Sequence, residues 1–322
     1  MKKALVVGIN KYAFAPLFGC VRDATDFSHL IETNSDGSAN FSVLLKTDVP
    51  RKSTLRELIK DLFSGRNETA LFYFSGHGYV NEYGAYLLTP DHRKYDEGIS
   101  MSDIITMANQ SAATHKIIIL DCCRSGAIAV PELIHGHSGH INEGITILTA
   151  SKQDEVAMEA GGKGVFTSLL LEALKGGAAN INGHITPGSI YAYIDQALGP
   201  WEQRPVFKTN VSTFTSIRKV LPQIRNEVLK KITTYFPSPL ESYTLDPSYE
   251  YTNDPTILQL HKEPFADESH VAIFEDLQKM QMAGLVEPLG EEYLYWAAMN
   301  KKACRLTLLG MHYWRLVREK KI

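Results

Sequence analysis

Three unbroken apolar runs organise the first half of the chain: Ala4-Leu5-Val6-Val7-Gly8-Ile9, Ala70-Leu71-Phe72-Tyr73-Phe74 and Ile117-Ile118-Ile119-Leu120. Their length suits strands. Continuous rather than alternating apolarity means burial on both faces, as in a parallel sheet covered by helices. Gly144-Ile145-Thr146-Ile147-Leu148-Thr149-Ala150 reads as a fourth strand. Amphipathic stretches predict helices over Cys20–Thr33, Ser53–Phe63, Ser102–Gln110 and Val165–Leu174, the last with Phe166, Leu169, Leu170, Ala173 and Leu174 on one face. Strands alternating with helices make an α/β sandwich around a mostly parallel sheet.

The pattern changes near Val220. Between Tyr235 and Pro264 the chain carries Pro237, Pro239, Pro247, Pro255 and Pro264 among Ser, Tyr and Asp, which predicts an extended connector packed by its tyrosines. A helical pattern follows, with Val271, Phe274, Leu277 and Met280 closed by Gly284-Leu285-Val286. After a polar stretch suited to strands, Cys304-Arg305-Leu306-Thr307 leads into a last helix, Leu308–Arg318. The expected division is a domain over 1–220, a connector over 221–268 and a small domain over 269–322.

A length of 322 residues accommodates two domains. With 33 Lys plus Arg against 36 Asp plus Glu, the formal charge of −3 provides no single-signed field to attract nucleic acid or anionic lipid. The four cysteines, Cys20, Cys122, Cys123 and Cys304, include two sequence neighbours, so a disulfide framework is not expected. The first apolar run is too short for a secretory leader, and no run reaches the ~20 apolar residues of a membrane span. A reducing cytoplasm is the expected compartment.

Two loops follow two of the buried strands. Phe74 leads into Ser75-Gly76-His77-Gly78, and Leu120 into Asp121-Cys122-Cys123-Arg124-Ser125-Gly126. In an open parallel sheet the carboxyl ends of the strands are where side chains converge on a ligand. A Cys and a His on neighbouring strand ends make a nucleophile and its base, the imidazole forming the thiolate and then protonating a leaving amine. The glycines flanking His77 let a substrate backbone approach and the Gly78 amide point outward as a donor.

These residues resemble the caspase-like cysteine peptidases, particularly the metacaspase and paracaspase branch. His77 precedes Cys123 by 46 residues, close to the caspase spacing of about 50. Further matches are Ala4 to Asn10 with the family's first strand, Leu17 to Ala24 with its first helix, and Ile145 to Glu155 with Gly164-Val165-Phe166-Thr167 in the small-subunit portion. Gln203-Arg204-Pro205-Val206-Phe207 resembles the closing strand. The resemblance implies a caspase-hemoglobinase-like fold, Cys123 as nucleophile, His77 as acid and base, and the Gly78 and Cys123 amides as oxyanion hole. Cys122, in the place of a small residue, is expected to pack. The pocket for the residue before the scissile bond maps to Cys20, Asp23, Ser75 and Asp121, whose two carboxylates imply cleavage after Arg or Lys. The acidic run of calcium-dependent metacaspases has only the acid-poor Tyr79–Ala85 as its counterpart, and no cofactor is expected.

Competing readings carry their own residues. His135-Gly136-His137-Ser138-Gly139-His140 could hold zinc, but no second ligand cluster accompanies it, so no metal is expected. The segment from Ser269 resembles a winged helix with a wing through Tyr293 to Cys304. Eight Lys plus Arg against six Asp plus Glu from His270 to Ile322 make it a sensing or docking module rather than a nucleic-acid binder. The resemblance implies a regulated effector acting on protein substrates, for instance in antiviral defence, switched by a nucleotide-like small molecule or a protein through the C-terminal region. An inactive caspase-like scaffold and a winged-helix nucleic-acid-binding regulator are the alternatives.

Overall fold

Each unbroken apolar run becomes a strand buried on both faces. The computed structural model describes residues 1–94, 96–122, 141–150, 159–160, 163–198, 205–256 and 261–322. They divide into two units, Met1–Leu221 and Pro222–Ile322. No helix among them is long and apolar enough to cross a membrane.

The first unit runs β1 (Lys2–Gly8), α1 (Cys20–Glu32), β2 (Phe41–Thr47), α2 (Lys52–Ser64) and β3 (Thr69–Gly76). A small sheet of β4 (Gly78–Asn81), β5 (Gly84–Leu87) and β6 (Ile99–Ser100) follows, then α3 (Met101–Gln110), β7 (His115–Cys122) and β8 (Ile145–Thr149). The rest comprises β9 (Glu159–Ala160), β10 (Lys163–Gly164), α4 (Val165–Glu172), β11 (His184–Ile185), α5 (Pro187–Leu198), β12 (Val206–Asn210) and β13 (Arg218–Lys219). The main sheet has the order β12-β8-β7-β3-β1-β2; all its pairs are parallel except β12 on β8.

Successive strand residues go to opposite faces. Leu5, Val7, Phe72, Phe74, Ile118 and Leu120 pack with Leu55 and Ile59 of α2 and with Ile104 and Ile105 of α3. Ala4, Val6, Leu71, Tyr73, Ile117 and Ile119 pack with Phe27 of α1, Leu170 of α4 and Ile194 of α5. The expected α/β sandwich is the observed fold. The sequence pattern missed β2, because as an edge strand it buries Phe41 fully and leaves Ser42, Leu44, Lys46 and Thr47 exposed. It also missed α5. The predicted helix over Val165–Leu174 ends as α4 at Glu172 and passes into a wider π-helical turn, Ala173–Gly177.

The second unit holds α6 (Asn226–Lys230), α7 (Ile232–Tyr235), β14 (Ser242–Thr244), α8 (Glu268–Met282), β15 (Val286–Pro288), α9 (Leu294–Met299), β16 (Ala303–Leu306) and α10 (Leu308–Arg318). Its antiparallel sheet has the order β14-β16-β15. This corrects the expected connector over 221–268. That stretch supplies two helices and the edge strand β14, and its polar residues hold turns in place. Tyr243 and Tyr249 share a hydroxyl hydrogen bond of 3.0 Å, and the Asn253 amide donates to the Pro247, Lys262 and Pro264 carbonyls. The prolines break periodicity without making the segment extended. The expected wing through Tyr293 to Cys304 likewise contains a helical turn and a half, α9, before β16 begins.

Candidate active site

The site is built on the carboxyl ends of β1, β3 and β7. Gly8 lies opposite Ser75, Ser75 opposite Asp121, and Gly76 opposite Cys122. Helix α1 starts directly over this row. A Cβ on Gly8 would sit 2.3 Å from the Cys20 carbonyl oxygen and 2.8 Å from Ala24 Cβ, so only glycine lets the first turn of α1 come this close. That approach buries Cys20 and Asp23 beside the strand ends that carry Ser75 and Asp121. All four residues expected to line a pocket are therefore buried at one end of the sheet.

The buried phenol of Tyr73 reports how close the acids are. Its pKa is pushed well above the usual value by burial first, then by the charges of Asp121 and Asp23, and then by Cys20. Asp121 and Asp23 both act on this one phenol, so two buried acids lie near this end of the sheet. Asp121 Oδ2 accepts a hydrogen bond of 2.5 Å from Thr167 Oγ1.

His77 follows β3 and is held at several points. Its Nε2 lies 2.7 Å from the Ala15 carbonyl oxygen. A carbonyl can only accept, so Nε2 carries the proton and Nδ1 is the basic nitrogen. The ring meets Tyr12 edge-on at 4.6 Å and Phe14 at 5.2 Å, and Phe14 in turn contacts His92 at 4.2 Å. Burial lowers the His77 pKa, the Ala15 hydrogen bond opposes this, and the charge of His92 lowers it further.

Tyr12 acts as a wedge. Its buried hydroxyl accepts from the His77 N–H at 3.1 Å and donates to the Leu88 carbonyl at 3.2 Å, while Leu88 N–H donates to the His77 carbonyl at 3.0 Å. The phenol thus stands in for one ladder hydrogen bond between these two residues. Alternation along the antiparallel ladder makes the next pair, Gly78 and Leu87, a non-hydrogen-bonded one. The Gly78 N–H is consequently turned away from β5. A Cβ on Gly76 would come within 2.5 Å of the Tyr12 hydroxyl, so glycine at that position makes room for the wedge.

Cys122 is buried in the apolar cluster with Phe74 and Leu120. Cys123 lies outside the described residues, as do His135–His140 and Gln203-Arg204. The residue pattern missed Tyr12, Phe14, Ala15, His92 and Thr167. Four of these lie in loops whose course follows from the tertiary fold, and their sequence neighbourhoods carry no motif.

A parallel sheet closed by one antiparallel strand, with a histidine loop after β3 and Cys122 ending the neighbouring β7, defines a caspase-like α/β sandwich. The chain belongs to the caspase-domain family of C14 peptidases, whose sequence model matches residues 1–233. Cysteine-type peptidase chemistry is the activity this domain supports. Caspase-1 of Spodoptera frugiperda shares the fold at 12% identity and a TM-score of 0.51, the match covering 68% of this chain and 90% of that one. A protein of Geobacter sulfurreducens aligns at 16% identity and a TM-score of 0.49, over 69% of this chain and 98% of its own. No curated protein sequence matches the chain.

Proposed function

We propose that the chain is a cysteine endopeptidase that cleaves proteins after Arg or Lys, with Cys123 as nucleophile and His77 as acid and base. The observation that carries this reading is the convergence of Asp23 and Asp121, both buried, on the strand ends that flank the His77 loop. A pocket for an acidic side chain would need cations there. His77 Nδ1 takes the Cys123 thiol proton, and the thiolate attacks the scissile carbonyl carbon. The resulting oxyanion is received by the Gly78 and Cys123 amides. Nδ1–H then protonates the departing amine as the C–N bond breaks, leaving a thioester. Water attacks the thioester and gives a proton to Nδ1, the C–S bond breaks to release the carboxylic acid product and the Cys123 thiolate, and the thiolate retakes the proton from Nδ1. Cys20 and Ser75 complete the pocket walls, and Arg or Lys places its cation between the two carboxylates.

Regulation through the C-terminal unit belongs to the same proposal. Its β14-β16-β15 order, with α8 between the first two strands in sequence, supports a winged-helix-like sensing or docking role. A nucleotide-like or protein signal acting there would make the enzyme a regulated effector, for instance in antiviral defence.

A peptide-library cleavage assay, run on the chain alone and with extract of stressed cells, tests the reading. Products should end in Arg or Lys. Cys123→Ala and His77→Ala should each abolish cleavage, and Cys122→Ala should keep most of it. Asp121→Ala should cost about 2–5 kcal/mol in kcat/KM for basic substrates. Products ending only in Asp, or an inactive Cys122→Ala beside an active Cys123→Ala, would overturn the assignment.

A further inference from the structure

Thr167 lies in the first turn of α4, outside the two loops that carry the proposed chemistry, and it is completely buried. A buried hydroxyl is costly unless its hydrogen bonds are made, and those of Thr167 run across to two strands. Its Oγ1 is 2.5 Å from Asp121 Oδ2 and 2.7 Å from the Tyr73 hydroxyl.

The direction of this chain of hydrogen bonds follows from proton counting. An ionised carboxylate only accepts, so the single Thr167 proton goes to Asp121, and Tyr73 must donate to Thr167. The Tyr73 ring cannot swing away, because it is fully buried and stacked on Phe27 of α1 with centroids 4.4 Å apart and planes 17° from parallel. The donor end of the chain is therefore anchored in the core between β3 and α1. Asp121, itself buried, is the acceptor end of this polar strut, and the hydrogen bond from Thr167 restrains the orientation of its carboxylate.

We propose that Thr167, backed by Tyr73, is a positioning residue that orients the Asp121 carboxylate for a planar guanidinium and so sets a preference for Arg over Lys. The inference rests on the reading of Asp121 as part of the substrate pocket. A guanidinium offers two parallel N–H donors in a fixed fork and gains from a carboxylate whose plane is held. An ammonium is a point charge with rotating donors and gains much less. Asp23, from α1, supplies a second negative charge of value to either cation, so the discrimination falls to the oriented acid.

The test measures kcat and KM for matched peptides with Arg or Lys before the scissile bond, in the condition under which the unmodified chain cleaves. Thr167→Val keeps the volume and removes the hydroxyl, Thr167→Ser keeps the hydroxyl, and Tyr73→Phe removes the backing donor. Thr167→Val should raise KM for the Arg peptide by about tenfold, the loss of one hydrogen bond to a charged group. The Lys peptide should change by less than about half that factor, with kcat little altered for either. Thr167→Ser should retain the Arg preference, and Tyr73→Phe should lower it by a smaller factor than Thr167→Val. An unchanged Arg-to-Lys ratio in Thr167→Val overturns the proposal while leaving the peptidase reading intact. Equal loss in the Ser and Val variants would assign Thr167 to packing and overturn it too. If Thr167→Val does not fold, an unchanged ratio in Tyr73→Phe is decisive against it. Cleavage of neither peptide in any condition overturns the peptidase reading itself.

Discussion

His77 must be neutral at rest to act as a base, and its surroundings favour that state. Burial removes water from the imidazolium, and the His92 charge adds repulsion, against the single opposing contribution of the Ala15 carbonyl. In the Cys123→Ala protein, where no thiolate is present, the His77 ring should titrate below the ordinary histidine value of about 6.5. His92→Gln should move that titration upward. The depressed value also fixes the sign of the stability linkage. Below the ordinary pKa the unfolded chain binds the proton more readily, so the contribution of His77 to stability is intact at neutral pH and is lost as the pH falls. An NMR titration of the ring that places it at or above the ordinary value in the Cys123→Ala protein would contradict this account.

Among the elements, the site depends on how closely α1 sits on the end of β1. The nearest atom to a Cβ on Gly8 would be a backbone carbonyl oxygen, at 2.3 Å, and backbone cannot rotate out of the way as a flexible side chain can. Gly8→Ala must therefore lift the first turn of α1, and with it Cys20 and Asp23. The expected cost is about 1–3 kcal/mol of stability, the usual scale of overpacking, together with weaker binding of basic substrates. Thermal unfolding of the variant measures the first, and a melting temperature equal to that of the parent would show that α1 does not press on Gly8. In the second unit a Cβ on Gly310 would sit 2.0 Å from the Leu285 carbonyl oxygen, which makes α10 a comparably close-packed helix there.

At the scale of the whole molecule, the two units raise the question of how activity is switched on. Between Ala127 and Gly144, the segment joining the two halves of the caspase domain, there is no Lys or Arg. An enzyme restricted to basic residues cannot process itself there, so maturation by cutting this linker is closed to it. On the proposed reading control would then come through the C-terminal unit, where a bound signal could shift the balance between states only by its differential affinity for the active one. The active enzyme should be an uncut chain. Intact-mass or gel analysis of activated protein decides this: a stoichiometric cut between Ala127 and Gly144 that accompanies activity would refute both the basic specificity and this route of control.

What could be read from residues alone was whatever burial on both faces writes into consecutive positions. β1, β3, β7 and β8 have no solvent-facing side, so they stand out as apolar runs, and the loops after β3 and β7 stand out because they end such runs with His, Gly, Asp and Cys. The edge strand β2 has an exposed side and half the signal. The segment over 221–268 hid β14 and its turns among prolines and tyrosines, because its order comes from side-chain hydrogen bonds such as those of Asn253 rather than from any periodicity. Only the tertiary structure could bring Tyr12, Ala15 and Thr167 to the site, since they come from a loop after β1 and a helix after β10. Their roles are set by distance across the fold, a quantity that local sequence does not encode. The placement of His77 and Asp121 at the ends of neighbouring strands was legible because it follows from residue type and strand order. The orientation of both groups was not, because it is imposed by partners 62 and 46 positions away.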